Sequence, residues 1–85
     1  MMTFLMKNLH YPAFARENGI EGRVMVQFII DESGMVENPV VMKGVQTTLD
    51  KEAVIVIRKM RFTAPTINGQ PHRLYMKLPI TFKLG

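Results

Sequence analysis

The residues able to do chemistry are few and scattered along the 85-residue chain. Ser33 is the sole serine and stands in Asp31-Glu32-Ser33-Gly34, a turn spelling. A turn role suits it better than nucleophilic attack. His10 and His72 each stand alone, with no ligand partner three or four residues away and no cysteine in the chain. No metal site is expected. The seven acidic residues are spread over turns and exposed positions, which gives no paired-carboxylate site. Gly19-Ile20-Glu21-Gly22 has the GXXG spelling of an RNA-binding loop, but it leads into a strand, and Glu21 would repel phosphate. It is no phosphate-binding fingerprint either. The richest run is Arg73, Tyr75, Lys77 and Lys83, at alternate positions of the last strand. It offers cations with one aromatic, a weak platform for nucleic acid and an ordinary solvated sheet face. No enzyme and no cofactor is expected; a basic nucleic-acid-binding module is the low-ranking rival.

The composition bounds what must position these residues. With 47% hydrophobic and 21% charged residues, the chain is too apolar for disorder and long enough for one domain. Without cysteine, neither a disulfide nor a thiolate metal site can prop up a smaller core. Apolar burial barely exceeds chain entropy at this size, so modest stability and a possible homodimer are expected. No apolar run approaches the ~18 residues of a membrane span. The opening Met1 to Asn8 lacks a long apolar core and a small-residue cleavage site, so as it stands nothing exports or anchors the chain. The net charge of +4 is mildly basic.

Residues 1–10 read as a lead-in segment and 11–85 as the domain. Tyr11-Pro12 opens a short helix to Asn18, since proline suits a first helical turn, and Asn18-Gly19 ends it. From Ile20 to Asp31, Val24, Val26, Phe28 and Ile30 alternate with their neighbours, which predicts a strand. The turn through Gly34 returns it as a hairpin strand, Met35 to Lys43. Pro39 lies inside that second strand and cannot donate to a ladder, so the strand belongs at a sheet edge. Leu49, Ala53, Val56, Ile57 and Met60 recur at helical spacing and predict the main helix, Thr48 to Met60, with Ile55 on its outer face. After the turn-rich Ala64 to Gly69, Gln70 to Leu84 alternates apolar and polar along its length and reads as one long strand. The expected fold is α+β: a two-layer sandwich in the order helix-strand-strand-helix-strand. Its three-stranded antiparallel sheet has chain order 2-1-3, with both helices on one face.

Several of these stretches occur together in a known family. Tyr11-Pro12 with Ala15, then Gly19-Ile20-Glu21-Gly22, Gly34-x-Val36, Leu49-Asp50-x-Glu52-Ala53, Asn68-Gly69 and Leu78-Pro79-Ile80-Thr81-Phe82 resemble the TonB C-terminal domain, in a Bacteroides-type wording. The resemblance runs from Tyr11 to Leu84. It departs at Arg61-Phe62, where many members carry a proline and a tryptophan; Phe62 can serve as the aromatic plug. The resemblance implies a periplasmic domain tethered to the inner membrane through an N-terminal anchor and spacer not present in this chain. It also implies that the domain binds the TonB box of outer-membrane TonB-dependent transporters as an added strand. Coupling to an inner-membrane motor complex would run through segments absent here, with no nucleic acid and no membrane contact by the domain itself. An alternative setting in related proteins is a sensor or scaffold domain of a membrane peptidase.

The strand chemistry suggests where such a segment would dock. Pro79 cannot donate to an inner ladder, so its parity should face outward. The free edge would then offer the amides of Arg73, Tyr75 and Lys77, with Leu74 and Met76 between them and Pro71 and Pro79 as brackets against indefinite strand addition. The resemblance implies a second contact just before Tyr-Pro, at Asn8, Leu9 and His10, with Asn8 foremost. Tyr11 itself is expected to pack on the sheet.

Overall fold

The computed structural model describes residues 4–6 and 10–85. In chain order the elements are β1 (Phe4–Met6), α1 (Ala13–Glu17), β2 (Gly22–Ile30), β3 (Val36–Lys43), α2 (Thr47–Lys59), β4 (Thr66–Ile67), β5 (Gln70–Pro71) and β6 (Leu74–Phe82). The helix-strand-strand-helix-strand order and the central placing of the first long strand match the sequence reading: β2 lies between β6 and β3, antiparallel to both.

The period-2 pattern of β2 becomes a one-sided burial pattern. Val24, Val26, Phe28 and Ile30 are buried together with Leu78, Ile80 and Phe82 of β6. Tyr11, Ala15 from α1 and Leu49, Ala53 and Ile57 from α2 close over them. Both helices therefore cover one face, and the core is a single apolar layer between sheet and helices. Ile55 is exposed on α2, as its helical position requires. Helix α2 is capped by Gln46, whose side chain accepts the Thr48 amide at 2.9 Å. Just before it, the Asp50 carboxylate accepts the Val45 amide at 3.0 Å. A Cβ at Gly44 would come within 2.2 Å of that carboxylate.

The hairpin turn is built by Asp31. One carboxylate oxygen accepts the Ser33 amide at 2.9 Å, the Ser33 hydroxyl at 2.7 Å and the Met35 amide at 2.9 Å. Ser33 is thus a turn residue, in keeping with its neighbours' spelling. Gly34 adopts φ 89°, open to glycine and costly for other residues. Its carbonyl accepts the Phe62 amide at 3.0 Å, and a Cβ there would lie 2.0 Å from the Phe62 carbonyl oxygen. The segment after α2 is pinned to the hairpin at this point, and Phe62 stacks on Phe28 with ring centroids 5.7 Å apart. Phe62 thereby plugs the end of the core.

Three expectations need correction. The stretch Gln70 to Leu84 is not one strand. Gln70–Pro71 pairs with Thr66–Ile67 in a separate two-residue hairpin, turned by Asn68 (φ 53°) and Gly69 (φ 78°). The His72 amide then bonds back to the Pro65 carbonyl at 2.8 Å, so the chain is broken before Leu74. Second, the apolar alternation outruns the core: Leu74 and Leu84 keep the period yet are exposed. Third, the sheet has a fourth, short strand: Phe4–Met6 of the lead-in lies parallel to β6, pairing Phe4 with Ile80, Leu5 with Thr81 and Met6 with Phe82. Three apolar residues carry no usable periodicity, which is why this strand was not expected.

Candidate functional site

Strand β6 is paired along its whole length on one side, from Leu74 opposite Ile30 to Phe82 opposite Gly22. On its other side, among the described residues, only Ile80, Thr81 and Phe82 have a strand partner, in β1. The six positions Leu74–Pro79 therefore present backbone hydrogen-bonding groups on an edge without a described strand. The β6–β2 register is continuous and free of bulges. An extended chain laid along it would meet a regular ladder.

Of the residues singled out in the sequence, Leu74, Tyr75, Met76 and Lys77 lie in this open half, and Arg73 immediately precedes it. Tyr75 is 73% exposed, the most exposed of the large apolar side chains described. Lys77 is exposed and Met76 is half-buried against the core. The Arg73 guanidinium reaches across the sheet to the Glu37 carboxylate and lies 3.8 Å from that of Glu32. Its charge serves to tie the start of β6 to the β2–β3 hairpin. Pro71 belongs to β5 and does not bracket β6, so Pro79 alone interrupts the donors within the strand.

The second group of residues lies elsewhere. Asn8 and Leu9 fall outside the described residues. His10 is exposed and adjoins Tyr11. Tyr11 packs edge-on against Phe82, with ring centroids 5.6 Å apart at 88°, and its hydroxyl donates to the Ile20 carbonyl. Burial, and then the Glu21 carboxylate, hold the Tyr11 phenol above its ordinary pKa, so it remains a donor. Tyr11 is a packing residue, as the sequence reading had it. His10 is thus anchored at the Phe82 end of β6. Tyr75 lies seven residues away, on the order of 23 Å along a strand. His10 and Tyr75 thus lie towards opposite ends of β6, with β1 at the end nearer His10.

Two further features bound the chemistry. Among the described residues there is no cluster of three His, Cys, Asp or Glu side chains able to hold a metal ion. No helix described is long and apolar enough to cross a membrane. What the edge can do is accept a strand.

The family model for the Gram-negative bacterial TonB protein C-terminal matches residues 7–84. Among curated relatives, a protein TonB of Xanthomonas campestris pv. campestris is 35% identical over 76 residues, covering 88% of this chain and 34% of the relative. A protein TonB of Vibrio cholerae is 34% identical over 77 residues, 87% of this chain and 31% of the relative. One from Yersinia enterocolitica is 44% identical over 55 residues, 64% of this chain and 22% of the relative. The chain spans about a third or less of the length of these relatives. With nearly its whole length matched and the sheet and helices in the expected order, the chain belongs to the TonB C-terminal domain family.

Proposed function

We propose that this domain is the periplasmic receptor-coupling module of a TonB-like energy transducer, without catalytic activity. It binds the TonB box of outer-membrane transporters by strand addition along β6. The observation that carries this reading is the one-sided pairing of β6, whose outer edge at Leu74–Pro79 has no strand partner among the described residues. Main-chain hydrogen bonds to such an edge supply affinity for an extended segment, and flanking side chains supply selectivity. Tyr75 and Lys77 are the exposed side chains beside the slot. Pro79 has no N–H to give the β2 ladder, which supports an outward parity for it and for Tyr75 and Lys77. A segment long enough to run from Tyr75 to Phe82 would approach His10; Asn8 and Leu9 complete the proposed second contact. Force applied along paired strands loads their hydrogen bonds together, which suits a coupling element between a motor in the inner membrane and a transporter in the outer one.

The test is an amide NMR titration with peptides from the N-terminal segments of the same organism's outer-membrane transporters. Saturable shifts centred on Arg73 to Lys77 are expected, with weak dependence on salt, unlike phosphate binding. Tyr75→Pro should abolish binding while the amide spectrum stays folded; unchanged affinity in the folded variant overturns the slot. A folded protein that ignores every peptide would point instead to the sensor or scaffold role.

A further inference from the structure

We propose that β1 is a displaceable occupant of the docking edge, held in cis, which a long partner segment must evict. The inference rests on the strand-addition reading and adds its regulation. Strand β6 has nine residues, and β1 covers the last three, leaving six without a strand partner on that edge among the described residues. A partner segment that spans the whole strand therefore competes with Phe4–Met6 for the edge at Ile80–Phe82. One that spans only Leu74–Pro79 does not.

The geometry marks β1 as a weak occupant. It is three residues long and meets only β6 in the sheet. Register places Leu5 beside Thr81, whose buried hydroxyl has no hydrogen-bond partner among the described residues, so no side-chain hydrogen bond described there adds to the backbone pairing of β1. The chain between β1 and Tyr11 is only four residues long, so the local concentration of β1 at the edge is high and its weak pairing is still populated. An edge fractionally occupied in cis lowers the apparent affinity of any competitor by the unoccupied fraction. The domain is thereby shielded from casual strand addition at one end of β6 and open to a first contact at the other.

The experiment compares the full chain with its Leu5→Pro variant, in which one β1 amide is removed; Phe4→Pro is the second variant. Without ligand, amide exchange at Thr81, which shares the outward parity of Pro79, should be faster in the variant, while Ile80 and Phe82, whose amides then face β2, and Val24 and Val26 in the central strand report an unchanged fold. Equal rates at Thr81 in the two forms overturn the proposal. Each form is then titrated with a nine-residue transporter peptide, matched to β6, and a six-residue peptide, matched to Leu74–Pro79. The variant should bind the longer peptide roughly three- to tenfold more tightly and the shorter one no more tightly than the parent does. No gain for the longer peptide, or an equal gain for both, overturns competition by β1. If neither peptide binds either form while the exchange contrast persists, the strand-addition reading fails and β1 is a structural fourth strand only.

Discussion

The sheet has two long strands with an outward edge, β3 and β6, and they are built differently. Strand β3 is irregular. Its register against β2 slips twice, between Lys43 and Val41 and between Val40 and Glu37. Asn38 within the second slip has φ 50°, and Pro39 beside it has no amide to offer. A bulged, proline-bearing edge is a poor template for another strand. Strand β6 keeps an unbroken register for nine residues and bends nowhere. Among the described residues, its protections are Pro79 and the short cover of β1. Both edges expose apolar side chains, Val40 and Met42 on one and Leu74 and Tyr75 on the other. Side-chain exposure alone therefore does not distinguish the two edges; regularity of the backbone does.

This contrast can be broken most directly with substitutions at equivalent places on the two edges. Tyr75→Pro removes a β6 edge amide and should reduce transporter-peptide binding below detection in an NMR titration. Val40→Lys, on an exposed β3 position (52% exposed), should leave that binding unchanged and alter stability by no more than about 0.5 kcal/mol. Loss of binding in both would show that β3 participates and would undo the comparison.

The next effect concerns the closed end of β6. Phe82 is fully buried and is the edge-on partner of Tyr11. Phe82→Ala should cost about 3–5 kcal/mol in urea unfolding, from lost burial and the cavity left behind. A cost below about 1 kcal/mol would mean that the lead-in is not anchored through this pair. Since small domains have little stability to spare, the variant is best measured at low temperature.

The smallest effect is pH-dependent and lies in the turn that starts β3. The Ser33 hydroxyl, then the Met35 and Ser33 amides, hold the exposed Asp31 carboxyl below its ordinary pKa of 3.8. A lowered folded-state pKa means the turn's contribution is complete above the unfolded value and is lost as pH falls through the folded one. Asp31→Asn keeps an acceptor oxygen but has no charge to titrate. The wild type should therefore lose more stability than the variant between pH 5 and pH 2, a small difference readable in parallel thermal melts. Identical pH profiles would remove Asp31 from the acid response.

Much of the fold was legible because it is written in local periods. Val24 to Ile30 alternate, Leu49 to Ile57 recur at helical spacing, and both patterns became burial without change. Pro39 announced an edge strand because a missing amide is a property of the residue itself. The turn at Asp31-Glu32-Ser33-Gly34 was equally local. The limits of the core were less legible. Leu74 and Leu84 obey the alternation of their strand, yet they are exposed, because burial depends on what covers a position and not on the strand's own pattern.

Composition, spacing and single-residue chemistry by themselves determined the α+β order of helices and strands, and they pointed to the last strand as the place to look for a partner. Only the tertiary structure decided which part of that edge is open. Pro71 left the strand for a separate hairpin, Arg73 turned its charge to Glu37, and Phe4–Met6 came back to cover Ile80–Phe82. These are contacts between residues up to more than seventy positions apart, and each depends on register and chain path. A three-residue strand or a two-residue hairpin has no period to read, so its place is set by the surface it finds already folded.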